Sequence, residues 1–395
     1  MPCIVWIRRH SPLVIFIECN TIGTEAMYVF HWNEKAIITL VEDNITDAYH
    51  AISTEDAEQL TSTYYALGQT LRILQLADGH VHTIKTIEGV YKDVSQKLQS
   101  LQASDHEEEL EHPHGHRIAQ LGQHWMRGVS DEEKASLLQQ RVSLDPIHEP
   151  TGLPLTLVQR LAVNDINIQD YLRYHFKNQS LHSGQTTLRV SQNQWLMPLK
   201  QALTLLSNTC DQYQQDTLDR LVNEGHIQLI AASENATSLC IATNKGGFIQ
   251  LLSYDGFVDL FELIHEFGHC LHFGDDLEVW LNATDLQQES AAITFELETL
   301  ERLENEPSII NNREILTGIN QATLADSRRG FYQHWLWQVH LFELALYSNL
   351  ICNTKHIDQL WAYHVGDTNN WRHQSHLYIA PFYTICYPFA ISANA

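Results

Sequence analysis

Apolar positions along the chain change period several times, and the changes outline its elements. At the amino end, Cys3–Ile7, Leu13–Cys19, Met27–Trp32 and Ala36–Val41 are short runs rich in β-branched and aromatic residues. The breaks His-Ser-Pro, Asn-Thr-Ile-Gly and Asn-Glu-Lys separate them, so the pattern predicts a small antiparallel meander. Helical spacing follows at about Thr54–Leu76 and Val81–Leu101. It resumes at Arg117 and dominates from there on. Three strand-like runs interrupt it, Ile227–Ala232, Ser238–Ala242 and Phe248–Leu252, with a turn at Lys245-Gly246-Gly247. Between the two helical stretches lies Ser104–His116 (SDHEEELEHPHGH), acidic and broken by Pro113 and Gly115. Its His106, His112, His114 and His116 suggest metal binding by composition. A loose tract cannot impose tetrahedral geometry, so it reads as a solvated linker. The expected organisation is an N-terminal portion (1–103), this linker (104–116) and a mainly helical domain (117–395).

Composition narrows the function classes. The chain has 395 residues, 44% of them apolar and 18% charged, enough for a sizeable core in one large domain or two moderate ones. Lys plus Arg number 24 against 48 Asp plus Glu, a formal charge of −24. A surface so acidic repels nucleic acid and anionic membranes, so neither is an expected partner. Seven cysteines, an odd number without a CxxC pair, suit free thiols and a cytoplasmic location. In Met1–Cys19, Arg8 and Arg9 precede only a short apolar run, Pro12–Ile17, and Glu18 follows at once. That segment reads as structure rather than an export signal. No apolar run approaches the length of a membrane span.

The chemistry sits in Leu260–Phe273, LFELIHEFGHCLHF. His265 and His269 are four apart, hence one turn apart on one helix face. Two imidazoles so placed can hold one zinc ion, and Glu266 beside them can take a proton from an attacking water without ligating the metal. A surface helix carrying two His and a Glu would satisfy the same five-letter pattern. Leu260, Phe261, Leu263, Ile264, Phe267 and Leu271 instead mark a buried helix, where imidazoles need partners. Cys270 reads as core, and His272 as packed or next to a ligand.

Such a site needs a third protein ligand and an open position. Gln287–Leu300 (QQESAAITFELETL) offers Glu289, Glu296 and Glu298. Glu289 and Glu296 are seven apart and share a face, and Ser290, Ala291 and Ala292 would allow close helix approach. Glu289 is the expected ligand. Glu296 is expected to orient a ligand imidazole, and it is the fallback ligand. Asp275, Asp276 and Glu278 fall in a turn and read as solvated. Phe382, Phe389, Trp335, Trp337 and Trp371 read as core.

Four segments, in order, resemble the oligoendopeptidase F and thimet oligopeptidase family of zinc peptidases. They are Leu251–His272 (LLSYDGFVDLFELIHEFGHCLH), Glu289–Glu296 (ESAAITFE), Phe331–Tyr347 with Phe342-Glu343, and Trp371-x4-His376-x-Tyr378 followed by Pro381-Phe382-Tyr383 and Tyr387. The resemblance runs from about Val190 to the C-terminus. It implies a thermolysin-like zincin core, mainly α with a small antiparallel sheet beside the zinc helix; the N-terminal β-containing portion read above lies outside the resemblance. It implies one Zn²⁺ on His265, His269 and Glu289, with Glu266 as general base. It also implies a strand at about Gly247–Leu252 that pairs with the substrate backbone, with Gly247, Leu251 and Tyr378 in substrate binding. His376, Tyr383 and Tyr387 are the implied oxyanion and substrate contacts. The step from His269 to Glu289 is shorter than usual, and the N-terminal helical part looks reduced. The activity expected is a zinc-dependent endopeptidase or oligopeptidase acting on peptides or polypeptides. Its rivals are a dedicated protease for one protein or precursor and an inactive peptide-binding homologue.

Overall fold

The run Ala36–Val41, expected as the last strand of the meander, opens a helix, Glu34–Thr54. Val41, Asn44, Ala48 and Ala51 recur on one buried face. That sustained helical period outweighs a local cluster of β-branched residues. The structure, a computed structural model, describes residues 34–55, 59–60, 63–64, 67, 81–102, 114–126, 129–178, 195–232, 237–243, 246–274, 277–305, 323–348, 353–366 and 370–393. The first three runs of the expected meander lie outside these residues, as does most of Ser104–His116. Of that tract, Gly115 and His116 begin a helix rather than continue a linker.

Helices dominate, with small sheets, in line with the expected mainly α class. In chain order the helices are α1 (Glu34–Thr54), α2 (Val81–Gln102), α3 (Gly115–Met126), α4 (Asp131–Leu144), α5 (Leu155–Val163), α6 (Ile168–Asn178), α7 (Leu199–Ser207) and α8 (Gln212–Asn223). There follow α9 (Leu260–Phe273), α10 (Leu277–Asn282), α11 (Asp285–Leu303), α12 (Leu324–Gly330), α13 (Leu336–Ser348), α14 (Thr354–His364), α15 (His376–Ile379) and α16 (Cys386–Ala393). The strands are β1 (Ile147–His148), β2 (Leu153–Pro154), β3 (Leu196–Pro198), β4 (Ile227–Ala231), β5 (Leu239–Thr243), β6 (Gly246–Ser253) and β7 (Phe257–Asp259). The chain divides into two compact units. One is Met1–Glu107, Leu196–Ala231 and Ser238–Asn282, and the other is Glu108–Trp195, Ala232–Thr237 and Ala283–Ala395.

In the first unit a three-stranded sheet has the order β4-β6-β5. β5 runs antiparallel to β6, but β4 runs parallel to it, so the sheet is mixed where an antiparallel one was expected. Gly246–Leu252 is buried throughout because both faces of β6 are covered. Phe248 joins the α1–α2 core of Val41, Ala48, Ile87, Val90 and Val94. Gly247, on the opposite face by alternation, meets α9. A Cβ at Gly247 would stand 2.3 Å from the Cys270 sulfur, so only glycine admits the helix this close. β7 pairs with β3 (Met197 opposite Val258) and runs directly into α9.

The second unit is almost entirely helical. Trp125, Leu138, Val339, Phe342, Trp361, Trp371 and Tyr378 fill one core, and Leu157, Leu161, Tyr171, Trp337, Phe382 and Ile385 another. Trp337, Trp371 and Phe382 are therefore core, as expected, and Trp335 and Phe389 pack at the edges. Ser130 and Glu133 form a reciprocal cap at the start of α4. A π-helical turn, Phe331–Trp335, stands between α12 and α13.

Candidate metal centre

Helix α9 covers Leu260–Phe273, the span read from the sequence. Asp259 ends β7 and caps the helix, its carboxylate accepting from the Phe261 amide at 3.0 Å. His265 and His269 follow one another by one turn, ring centroids 4.9 Å apart and edge to face. Glu266 and His269 are buried and His265 is half-buried. Leu260, Phe261, Leu263, Ile264, Phe267 and Cys270 are buried around them, and Leu271 is half-buried. His272, expected to be packed, is exposed, its ring lying edge-on to Phe273 at 5.2 Å between centroids. Asp275 and Asp276 lie outside the described residues.

Helix α11 carries the acids. Thr284 and Gln287 cap its start reciprocally. The Leu286 amide donates to Asn164 at 2.7 Å, and Arg160 pairs with Asp285, so α5 pins this end. Gln288, Glu289, Ala292, Ile293, Glu296 and Leu300 form its buried face, while Glu298 points outward. The Tyr383 hydroxyl donates to Oε1 of Glu289 at 2.6 Å. Burial pushes the Tyr383 phenol well up, and the nearby Glu289 carboxylate adds to this, so the hydroxyl keeps its proton and donates it.

Glu296 is held by Arg328 and Tyr332. Arg328 Nε donates to it at 2.5 Å and the Tyr332 hydroxyl at 2.5 Å, while Arg328 Nη2 also reaches Tyr332 at 2.9 Å. Sequence reasoning did not single out Arg328 or Tyr332. The signal is faint, because Tyr332 lies in the π turn that breaks the 3.6 period. Tyr332 stacks on Tyr387 (5.6 Å between centroids), Tyr387 lies edge-on to Tyr383 (5.8 Å), and Tyr383 stacks on His376 (5.0 Å). The three C-terminal residues implied as oxyanion and substrate contacts therefore touch one another.

Among the described residues, His265, His269 and Glu289 form a group that could hold a metal ion, one ligand atom from each lying within 4.8 Å of the others. Two imidazoles and a carboxylate are a donor set zinc takes in sites with an open position, so the residues fit the expected ion.

The expected substrate contacts fare differently. β6 is the central strand, paired with β4 through Ile249–Ser253 and with β5 through Gly246–Gln250. Its backbone pairs on both sides at Ile249 and Gln250, with β5 alone at Gly247 and Phe248, and with β4 alone at Leu251 and Leu252, which leaves little of Gly247–Leu252 open to a substrate strand. Leu251 is wholly buried, and Gly247 is filled by Cys270. Tyr378 is buried too, stacked on Trp125 at 5.0 Å.

No family model matches the chain, and no curated protein matches it. Among solved structures it is similar to Trypanosoma cruzi metallocarboxypeptidase 1, with 12% identity and a TM-score of 0.44, over 88% of this chain and 85% of that one. A likeness at that level sets no family.

Proposed function

We propose that the protein is a zinc-dependent peptidase. The observation that carries this reading is the grouping of His265, His269 and Glu289 with Glu266 on the same helix as the two imidazoles. Zinc held by those three residues would supply Lewis acidity, polarising a peptide carbonyl and making water a stronger acid. Glu266 takes the proton of the attacking water and passes it to the leaving amine. Tyr383, still protonated and 2.6 Å from Glu289, turns its one hydroxyl proton from that carboxylate to the oxyanion that forms on the peptide carbonyl oxygen. His376 and Tyr387 hold the Tyr383 ring from two sides. Where a substrate backbone extends the sheet, it adds to an edge strand, β4 or β5, because β6 is the central strand. Seven cysteines without a pairing pattern fit a reducing compartment such as the cytoplasm.

The test is cleavage of a mixed peptide library by the zinc-loaded protein, read by mass spectrometry. New peptide termini should appear, vanish with a chelator, and be lost in Glu266→Gln. A metal-loaded wild type that cleaves no peptide overturns the reading. Cleavage of one protein or precursor alone would instead mark a dedicated protease.

A further inference from the structure

Buried beside Tyr383 is an ion pair with an unusual pair of backbone contacts. Arg141 on α4 and Glu343 on α13 are 2% and 0% exposed. Arg141 Nη1 donates to Glu343 Oε1 at 2.6 Å and also to the Leu377 carbonyl at 2.6 Å. Both Glu343 oxygens accept from the Phe382 amide at 3.0 Å. The guanidinium lies against the Tyr347 and Phe382 rings. The pair thus grips the two ends of the stretch Leu377–Phe382, which separates His376 from Tyr383.

Phe382 needs that grip. Its φ is +60°, the left-handed region, which a bulky aromatic residue rarely adopts. The next residue is Tyr383. Stability alone is a poor reason for such a pair, since well-packed apolar side chains commonly replace a buried ion pair without loss. Apolar side chains cannot, however, hold an amide and a carbonyl in place. Burial pushes the Glu343 carboxyl up, and Arg141 and the Phe382 amide pull it back.

We propose that Arg141 and Glu343 are positioning residues that set the backbone before Tyr383 and so aim its hydroxyl at Glu289. The inference rests on Tyr383 being a hydrogen-bond donor in a peptidase site. The experiment also has a readout that needs no peptidase activity. A single 3-fluorotyrosine is placed at position 383 of the full chain and observed by fluorine NMR. Three versions are compared: wild type, Arg141→Met/Glu343→Leu, and Arg141→Met/Glu343→Gln. The apolar pair should fold with an unchanged or higher Tm, yet its fluorine line should move and broaden. The Gln version, which returns an acceptor to the Phe382 amide, should bring the line most of the way back. On any peptide the wild type cleaves, kcat should fall on the order of tenfold in the apolar pair with KM within about twofold, and recover with Gln. In a Tyr383→Phe background the same double change should cost less than about twofold. An apolar pair with a wild-type fluorine line and wild-type kcat overturns the proposal. Should no peptide be cleaved by the wild type, the fluorine line still decides, and only the peptidase reading falls.

Discussion

At the scale of single residues, the site divides into groups that move protons and groups that hold them. Glu266 lies in the turn between His265 and His269, buried yet outside the metal-holding group. Glu266→Gln should keep zinc content and Tm while turnover falls by more than about 10²-fold, the range for loss of a general base. Tyr383→Phe removes the donor 2.6 Å from Glu289 and should cost about 10²–10³ in kcat with little change in KM. Steady-state kinetics with parallel metal analysis checks both. His340 offers a test by pH. It is fully buried against Trp337, its Nε2 is 3.0 Å from the Tyr171 hydroxyl, and burial pushes its pKa down to about 3. The unfolded chain takes up that proton near pH 6.5 while the folded chain refuses it. Stability should therefore fall as pH drops from about 6.5 towards 3, by at most ~1.4 kcal/mol per pH unit for this one proton. His340→Gln should flatten that part of the profile in denaturant unfolding.

At the scale of elements, the site depends on how closely a helix lies on a strand and how firmly two helix ends are pinned. Gly247 is the contact point of β6 with α9, where a methyl would meet the Cys270 sulfur at 2.3 Å. Gly247→Ala should cost about 1–3 kcal/mol by overpacking, and adding Cys270→Ala should return part of it. Two melting curves and their double variant measure the coupling. Helix α9 was legible in the sequence because its apolar period and its paired imidazoles agree on one span. Helix α1 was not. Ile37, Ile38 and Val41 satisfy a strand locally, and only the longer recurrence through Ala48 and Ala51 shows the helix. The place of β6 was also hidden. Its continuous apolar run marks a strand covered on both faces, but nothing in the run says that β4 pairs along its other edge in parallel. Gly247 and Leu251 were named as substrate contacts by the resemblance alone, and burial of both was not visible in it.

At the scale of the whole molecule, the candidate site was more legible than the chain around it. His265, Glu266 and His269 announce themselves by spacing, and Glu289 by following on the next long helix. Arg328 and Tyr332, which hold Glu296, and Arg141, which with Glu343 grips Leu377 and Phe382, do not, and the Phe342-Glu343 motif does not tell what Glu343 holds. Their partners lie 32 to 236 residues away in sequence, so only folding brings them together. Zinc that binds the folded chain and not the unfolded one should raise Tm by mass action, and a chelator should lower it. The central claim is that His265, His269 and Glu289 hold one zinc ion, and zinc per chain tests it most directly. Equilibrium dialysis followed by elemental analysis compares wild type, Glu289→Ala and Glu296→Ala. The account predicts one zinc per wild-type chain, a loss in Glu289→Ala beyond the ~10–100-fold typical of outer groups, and zinc retained in Glu296→Ala. Full zinc in Glu289→Ala with zinc lost in Glu296→Ala would contradict it.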